Sequence, residues 1–189
     1  MKIFELLEDS KTAVMTFARM NPPTIGHAKL IKKMTELPGD PYVFLSQTYK
    51  PDTDPLLFAD KARYVQRFFP SVTVGDLEVR TVVQAFQKIQ SLGYSRLIFV
   101  AGEDRIDGFQ ELLNKYNGKD FSFSNIKCIS SGERDPDSDG VEGMSASKMR
   151  AAAAAGDLAT FTKGTPDPKV AQHMFNKVRS GMGVTETVV

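Results

Sequence analysis

Five short apolar runs, each followed by a stretch of helical character or by a loop, constrain this chain more than any other feature. They lie at residues 13–18, 42–45, 72–74, 97–101 and 126–129. Runs this short read as strands, and the first lacks the in–out alternation of a half-exposed sheet, so it is expected to be buried on both faces. Between the runs, apolar residues recur three and four apart: Ala28, Ile31, Met34 and Leu37, then Ala62, Val65, Phe68 and Phe69, then Val82, Ala85, Phe86, Ile89 and Leu92. Another helix is expected over about 108–116. Strands alternating with helices predict a doubly wound, Rossmann-like parallel sheet of five strands, with helices on both faces.

The punctuation agrees with that frame. Leu37-Pro38-Gly39, Pro70, Gly93 and Asn117-Gly118 stand where helices should stop. Leu57 stands where a capping Ser or Thr would help the second helix start. After a loop at 131–143, with Arg134 as its only cation, five consecutive alanines drive a helix over 145–155 that Gly156 stops. A final helix is expected over 167–179, with Val170, Met174 and Val178 together. His173 on it has no motif around it. The predicted organisation is one domain over 1–160, a helix packed on it over 161–180, and a flexible tail over 181–189.

Composition narrows the setting. At 189 residues and 41% hydrophobic content, the chain can bury one core. Its net charge of +1 gives no global field toward nucleic acid or a membrane. Cys128 is the single cysteine, which excludes an intrachain disulfide framework and suits a reducing cytoplasm; inside an apolar run it reads as core, not nucleophile. No apolar stretch approaches transmembrane length, and residues 1–10 carry Glu5, Glu8 and Asp9 instead of a basic signal region. The expectation is a cytoplasmic protein with no nucleic-acid or membrane partner.

Doubly wound sheets bind ligands beyond the carboxyl ends of their strands. Four segments so placed carry polar chemistry: 21–27, 47–50, 102–105 and 132–147. In the first, Asn21-Pro22-Pro23 ends a strand, Thr24 occupies an N-cap position, and Gly26 leaves the new helix open to close approach. A helix N-terminus there would aim backbone N–H groups at an anion. His27, Lys29, Lys32 and Lys33 follow, and cations near that terminus oppose the helix dipole by roughly 0.3–1 kcal/mol unless an anion is bound. The alternative is a packing histidine beside a solvated lysine face. In the last segment, Met144-Ser145-Ala146-Ser147-Lys148-Met149-Arg150 sets hydroxyls and cations at a helix start, where Arg can bind phosphate through two parallel hydrogen bonds. Its alternative is a serine-capped, alanine-rich surface helix.

Thr24-Ile25-Gly26-His27 resembles the (H/T)xGH signature of the nucleotidylyltransferase superfamily, and residues 144–150 resemble its Ile-Ser-Ser-Thr-x-x-Arg pattern. The two occur in the family's order, and the resemblance covers about residues 12–156. The superfamily includes phosphopantetheine and nicotinamide-nucleotide adenylyltransferases and small cytidylyltransferases, and compact relatives are encoded by phages. The resemblance implies nucleotidyl transfer from ATP, or less readily CTP, to a small phosphorylated acceptor such as nicotinamide mononucleotide. Pyrophosphate would leave, and Mg²⁺ would bridge phosphate oxygens without a protein metal cage.

By that pattern Thr24, His27 and Arg150 would be catalytic, meeting the phosphates and the pentavalent transition state. Ser145, Ser147 and Lys148 would help hold the β- and γ-phosphates, and Gly26 would let ribose or base pack close. Arg19, Asn21 and Lys50 would line the nucleotide site. Gly102-Glu103-Asp104 resembles the family's Gly-x-Asp, so Gly102 and Asp104 would contact nucleotide or acceptor; the alternative is an ordinary helix-start turn. Family members often form homo-oligomers, an arrangement open to this chain. Departures are Thr24 for the first histidine, Ala18 and Met20 for a Gly and a Phe, and Ala146 for a serine. Class I aminoacyl-tRNA synthetases share the fold, but this chain has no room for an anticodon domain. The competing reading is a catalytically silent protein that keeps the fold for binding or assembly.

Overall fold

A computed structural model describes residues 10–132 and 143–184. Its strands are β1 (Thr12–Ala18), β2 (Asp40–Leu45), β3 (Thr73–Val74), β4 (Arg96–Ala101) and β5 (Asn125–Ser130). Its α-helices are α1 (Ile25–Glu36), α2 (Phe58–Phe68), α3 (Val82–Ser91), α4 (Ile106–Tyr116), α5 (Ala146–Ala155), α6 (Leu158–Gly164) and α7 (Ala171–Gly181). The five strands form one parallel sheet in the order β3-β2-β1-β4-β5. The winding direction reverses at β1, which pairs with β2 on one side and β4 on the other. A crevice therefore opens between the carboxyl ends of β1 and β4.

Strand periodicity divides the apolar residues between the two faces. Ala13, Met15, Phe44, Leu97 and Phe99 point into a core closed by Ala85, Phe86 and Ile89 of α3 and Leu113 of α4. Val14, Val43, Leu45, Ile98 and Val100 point the other way, against Leu30, Ile31 and Met34 of α1 and Val65 of α2. Both faces are covered, which is why the strands read as continuous apolar runs. A third core joins Leu56 and Tyr64 to Met149 of α5, Phe161 of α6, and Met174, Phe175 and Val178 of α7.

The structure departs from the sequence expectation in several places. β2 begins at Asp40, because the backbone ladder to β1 runs on through Ala13↔Asp40 without needing apolar side chains. A 3-10 turn, Glu103–Arg105, leads into α4 and moves its start forward to Ile106. α6 was not expected: its apolar signal is little more than Leu158 and Phe161, but Asp157 caps it and Phe161 anchors it in the third core. The last helix begins with a 3-10 turn, Pro168–Val170, and runs to Gly181. The first residues of the expected tail close that helix, with Met182 N donating to Val178 O at 2.9 Å and Val184 N to Arg179 O at 2.9 Å. Residues 185–189, and residues 133–142 with Arg134, lie outside the described residues.

Candidate nucleotide site

The turn after β1 sets up everything at α1. Buried Met20 takes φ +44°, a conformation few side chains adopt, and the Asn21–Pro22 peptide is cis. Thr24 then caps α1. Its hydroxyl accepts from Gly26 N at 3.2 Å, while His27 Nδ1 accepts from Thr24 N at 3.0 Å. The pair forms a capping box in which a histidine takes the place of the usual Glu or Gln. Because a backbone amide can only donate, neutral His27 carries its proton on Nε2. Thr24 Oγ1 lies 3.1 Å from the same Nδ1, and Thr24 is 1% exposed. Thr24 thus orients His27 from below.

The second motif folds against the first. Ser145 caps α5, its hydroxyl accepting from Lys148 N at 3.2 Å, and Gly156 ends the helix at φ +76°. Arg150, one turn in, donates to Asn21 O at 2.8 Å, to Asp52 O at 3.2 Å and to Ser147 Oγ at 3.0 Å. Burial of its guanidinium lowers its pKa, with Arg19 adding to the effect and Asp54 opposing it. A Cβ on Gly26 would sit 3.4 Å from Met144 O, so the two motifs pack backbone to backbone at this point. Asn21 is a clamp: its amide donates to Leu56 O at 3.0 Å and accepts from Leu56 N at 2.9 Å, both buried.

The remaining expected residues fall around this centre. Lys50 is exposed on a tight turn closed by Asp54 N donating to Lys50 O at 2.8 Å. Ser145, Ser147 and Lys148 are exposed at the start of α5. Gly102 is buried at the end of β4, with Glu103 and Asp104 exposed in the turn that follows. Arg19 lines a cavity of about 240 Å³ at the carboxyl ends of β1 and β2, with Phe17, Ala18, Ser46, Val82, Arg105 and Phe109. A larger cavity of about 510 Å³ opens among the strand starts, by Thr12, Arg96 and Asn125, at the opposite end of the sheet from both motifs.

Two residues escaped the sequence reading. Lys61 of α2 is fully buried, and its ammonium donates to Arg19 O at 3.0 Å and to Ser46 O. Burial lowers its pKa to about 8. Asp54 is also buried, and its Oδ1 has no hydrogen-bond partner. The available signal was Lys61 sitting beside Tyr64 and Val65 on the inward stripe of α2. Elsewhere, burial raises the Cys128 thiol to about 11, in keeping with a core role, and exposed His173 meets the Tyr64 hydroxyl through Nδ1 at 2.7 Å.

Solved structures share this fold. One is a Vibrio parahaemolyticus protein assigned as a nicotinate-nucleotide adenylyltransferase: TM-score 0.59, 18% identity, covering 88% of this chain and 99% of that one. What this chain shares with it is the fold, a parallel sheet wound with helices on both faces. A second neighbour is Thermotoga maritima TmcAL, solved with alpha-thio ATP, at TM-score 0.52 and 12% identity. It covers 91% of this chain, and this chain spans just over half of it, 56%. No family model matches the sequence, and no curated protein does. At the carboxyl ends of the strands Thr24 is hydrogen-bonded to His27, and Arg150 reaches Asn21, three residues before Thr24. Among the described residues, no helix is long and apolar enough to cross a membrane.

Proposed function

We propose that this protein transfers a nucleotidyl group, adenylyl in preference to cytidylyl, from an NTP to a small phosphorylated acceptor. The observation that carries the reading is the bond from Arg150 to Asn21 O, which joins the two motif segments, over a hundred residues apart, at the carboxyl ends of the strands. An acceptor phosphate oxygen would attack the α-phosphorus, forming one P–O bond while the α–β bridging P–O bond breaks. The electron pair leaves with pyrophosphate. Such a step needs positioning and charge neutralisation more than a protein nucleophile. His27, oriented by Thr24, would donate from Nε2 to the phosphoryl oxygen on which charge develops. Arg150, Ser145, Ser147 and Lys148 would bind the departing β- and γ-phosphates.

The acceptor fits best in the cavity beside Arg19. Two guanidiniums, Arg19 and Arg105, suit a phosphate, and two rings, Phe17 and Phe109, suit a flat heterocycle such as nicotinamide. Mg²⁺ bound with the NTP would supply charge neutralisation on the phosphates.

The test is pyrophosphate release with MgATP or MgCTP and a panel of phosphorylated acceptors, including nicotinamide and nicotinate mononucleotides. Acceptor-dependent release is expected with ATP, cut about 10²-fold or more by His27→Ala, the scale of one lost transition-state contact. MgATP binding without release for any acceptor would favour the silent binding module. Absence of both would sink the enzymatic reading.

A further inference from the structure

We propose that Lys61 is a positioning residue of the nucleotide site: its ammonium ties the carboxyl ends of β1 and β2 together and supplies part of the positive charge that receives the triphosphate. The inference rests on the nucleotidyl-transfer reading. It begins from an anomaly of packing. Lys61 is 0% exposed, on the same stripe of α2 as Tyr64 and Val65. A methionine would fill that space without desolvating a charge, and buried lysines are rare unless their charge is used.

The ammonium is held by oxygens of both strand ends. It donates to Arg19 O at 3.0 Å, to Ser46 O, and more weakly to Ser46 Oγ at 3.4 Å. Ser46 N donates to Ala18 O at 3.0 Å, continuing the β1–β2 ladder to the same point. Arg19 and Ser46 both line the proposed acceptor cavity, and Arg19 lies two residues from Asn21, whose carbonyl receives Arg150. Lys61 thus sits under the junction of the acceptor and nucleotide sides.

Charged groups face it from two elements, Arg19 at the end of β1 and Asp54 in the loop before α2, and Arg150 in α5 interacts with the same two. Three cations, Arg19, Lys61 and Arg150, and one carboxylate, Asp54, gather here. Asp54 spends Oδ2 on the Thr53 hydroxyl at 3.1 Å and leaves buried Oδ1 without a hydrogen bond, and its single charge stands against three cations. Only Lys61 and Asp54 of this set are buried, and a cluster with more cations than anions favours a polyanion. Burial lowers the Lys61 pKa to about 8, Asp54 opposing and Arg19 adding to the shift. Above that pH the neutral amine presents a lone pair to one of its three oxygens, and the set loses a cation.

The experiment is calorimetric MgATP binding at pH 7.5 and 9.5 for the wild type, Lys61→Met and Asp54→Asn, with a melting temperature for each. Wild-type affinity is expected to fall about tenfold between the two pH values, the effect of one unit of linked pKa shift. Lys61→Met should remain folded and bind at both pH values as weakly as the wild type does at 9.5. Asp54→Asn removes the carboxylate that raises the Lys61 pKa, so its loss of affinity should begin at lower pH. Wild-type binding unchanged with pH, or a Lys61→Met protein that keeps wild-type affinity and its pH dependence, overturns the proposal and leaves nucleotidyl transfer standing. If Lys61→Met does not fold, an Asp54→Asn profile identical to wild type overturns it. No MgATP binding by the wild type at either pH removes the transfer reading and this inference with it.

Discussion

At the residue scale, the candidate site depends on side chains that hold others in place. His27 receives one hydrogen bond from the Thr24 backbone and lies within reach of the Thr24 hydroxyl. Thr24→Val removes the hydroxyl and spares the amide. It should cost about 1 kcal/mol, the scale of a lost helix N-cap, and reduce pyrophosphate release less than His27→Ala does. Thermal melting and the release assay read the two effects separately. Asn21→Ala should be the more damaging to the fold. It leaves Leu56 N and Leu56 O buried without their partners, at about 1–3 kcal/mol for each unpaired group. A melting temperature close to wild type would show that the loop before α2 finds other partners.

At the element scale, most helices start from a side chain that accepts a backbone N–H. Thr81 and Gln84 form a capping box on α3, Ser145 caps α5 and Asp157 caps α6. α2, like α4 and α7, lacks one: Leu57 is its N-cap and makes no side-chain cap bond. Leu57 is also 57% exposed, so it gives little apolar burial in exchange. Leu57→Ser should therefore stabilise the protein by about 1 kcal/mol, read as a raised melting temperature. This weakness was visible in the sequence from the residue type alone. The start of α6 was harder to see, because seven residues with two apolar anchors carry too little periodicity to register.

At the scale of the whole molecule, three cores divide the labour. Two clamp the sheet, and the third holds α5, and so Arg150, through α6 and α7. Phe161 is fully buried and meets the Phe175 ring edge-on at 5.3 Å between centroids. Phe161→Ala should cost about 3–5 kcal/mol and weaken MgATP binding through Arg150, although Phe161 belongs to neither motif. Lys61 also links the fold to pH. Its folded pKa is lowered to about 8 from 10.5, so the folded state binds that proton less tightly than the unfolded chain. Its contribution to stability is least below about pH 8 and grows as the pH rises toward 10.5. The melting temperature of the wild type should therefore rise relative to Lys61→Met between those values. A constant difference would mean that the folded protein does not depress this pKa.

What the amino-acid sequence determined by itself was whatever local periodicity and local chemistry dictate. Continuous apolar runs specify strands covered on both faces, and three- and four-residue spacing specifies the helices between them. Pro, Gly, Thr and Ser at the ends set most boundaries, and Thr24-Ile25-Gly26-His27 and Ser145 to Arg150 singled out two helix starts. Tertiary structure alone decided which groups meet. The bond from Arg150 to Asn21, the clamp of Asn21 on Leu56, and the burial of Lys61 beneath Arg19 and Ser46 all join residues far apart in the chain. A sequence window cannot tell a lysine on a solvated face from one on a buried stripe. That distinction depends on which strand ends the helix covers, and the order of strands in the sheet sets it.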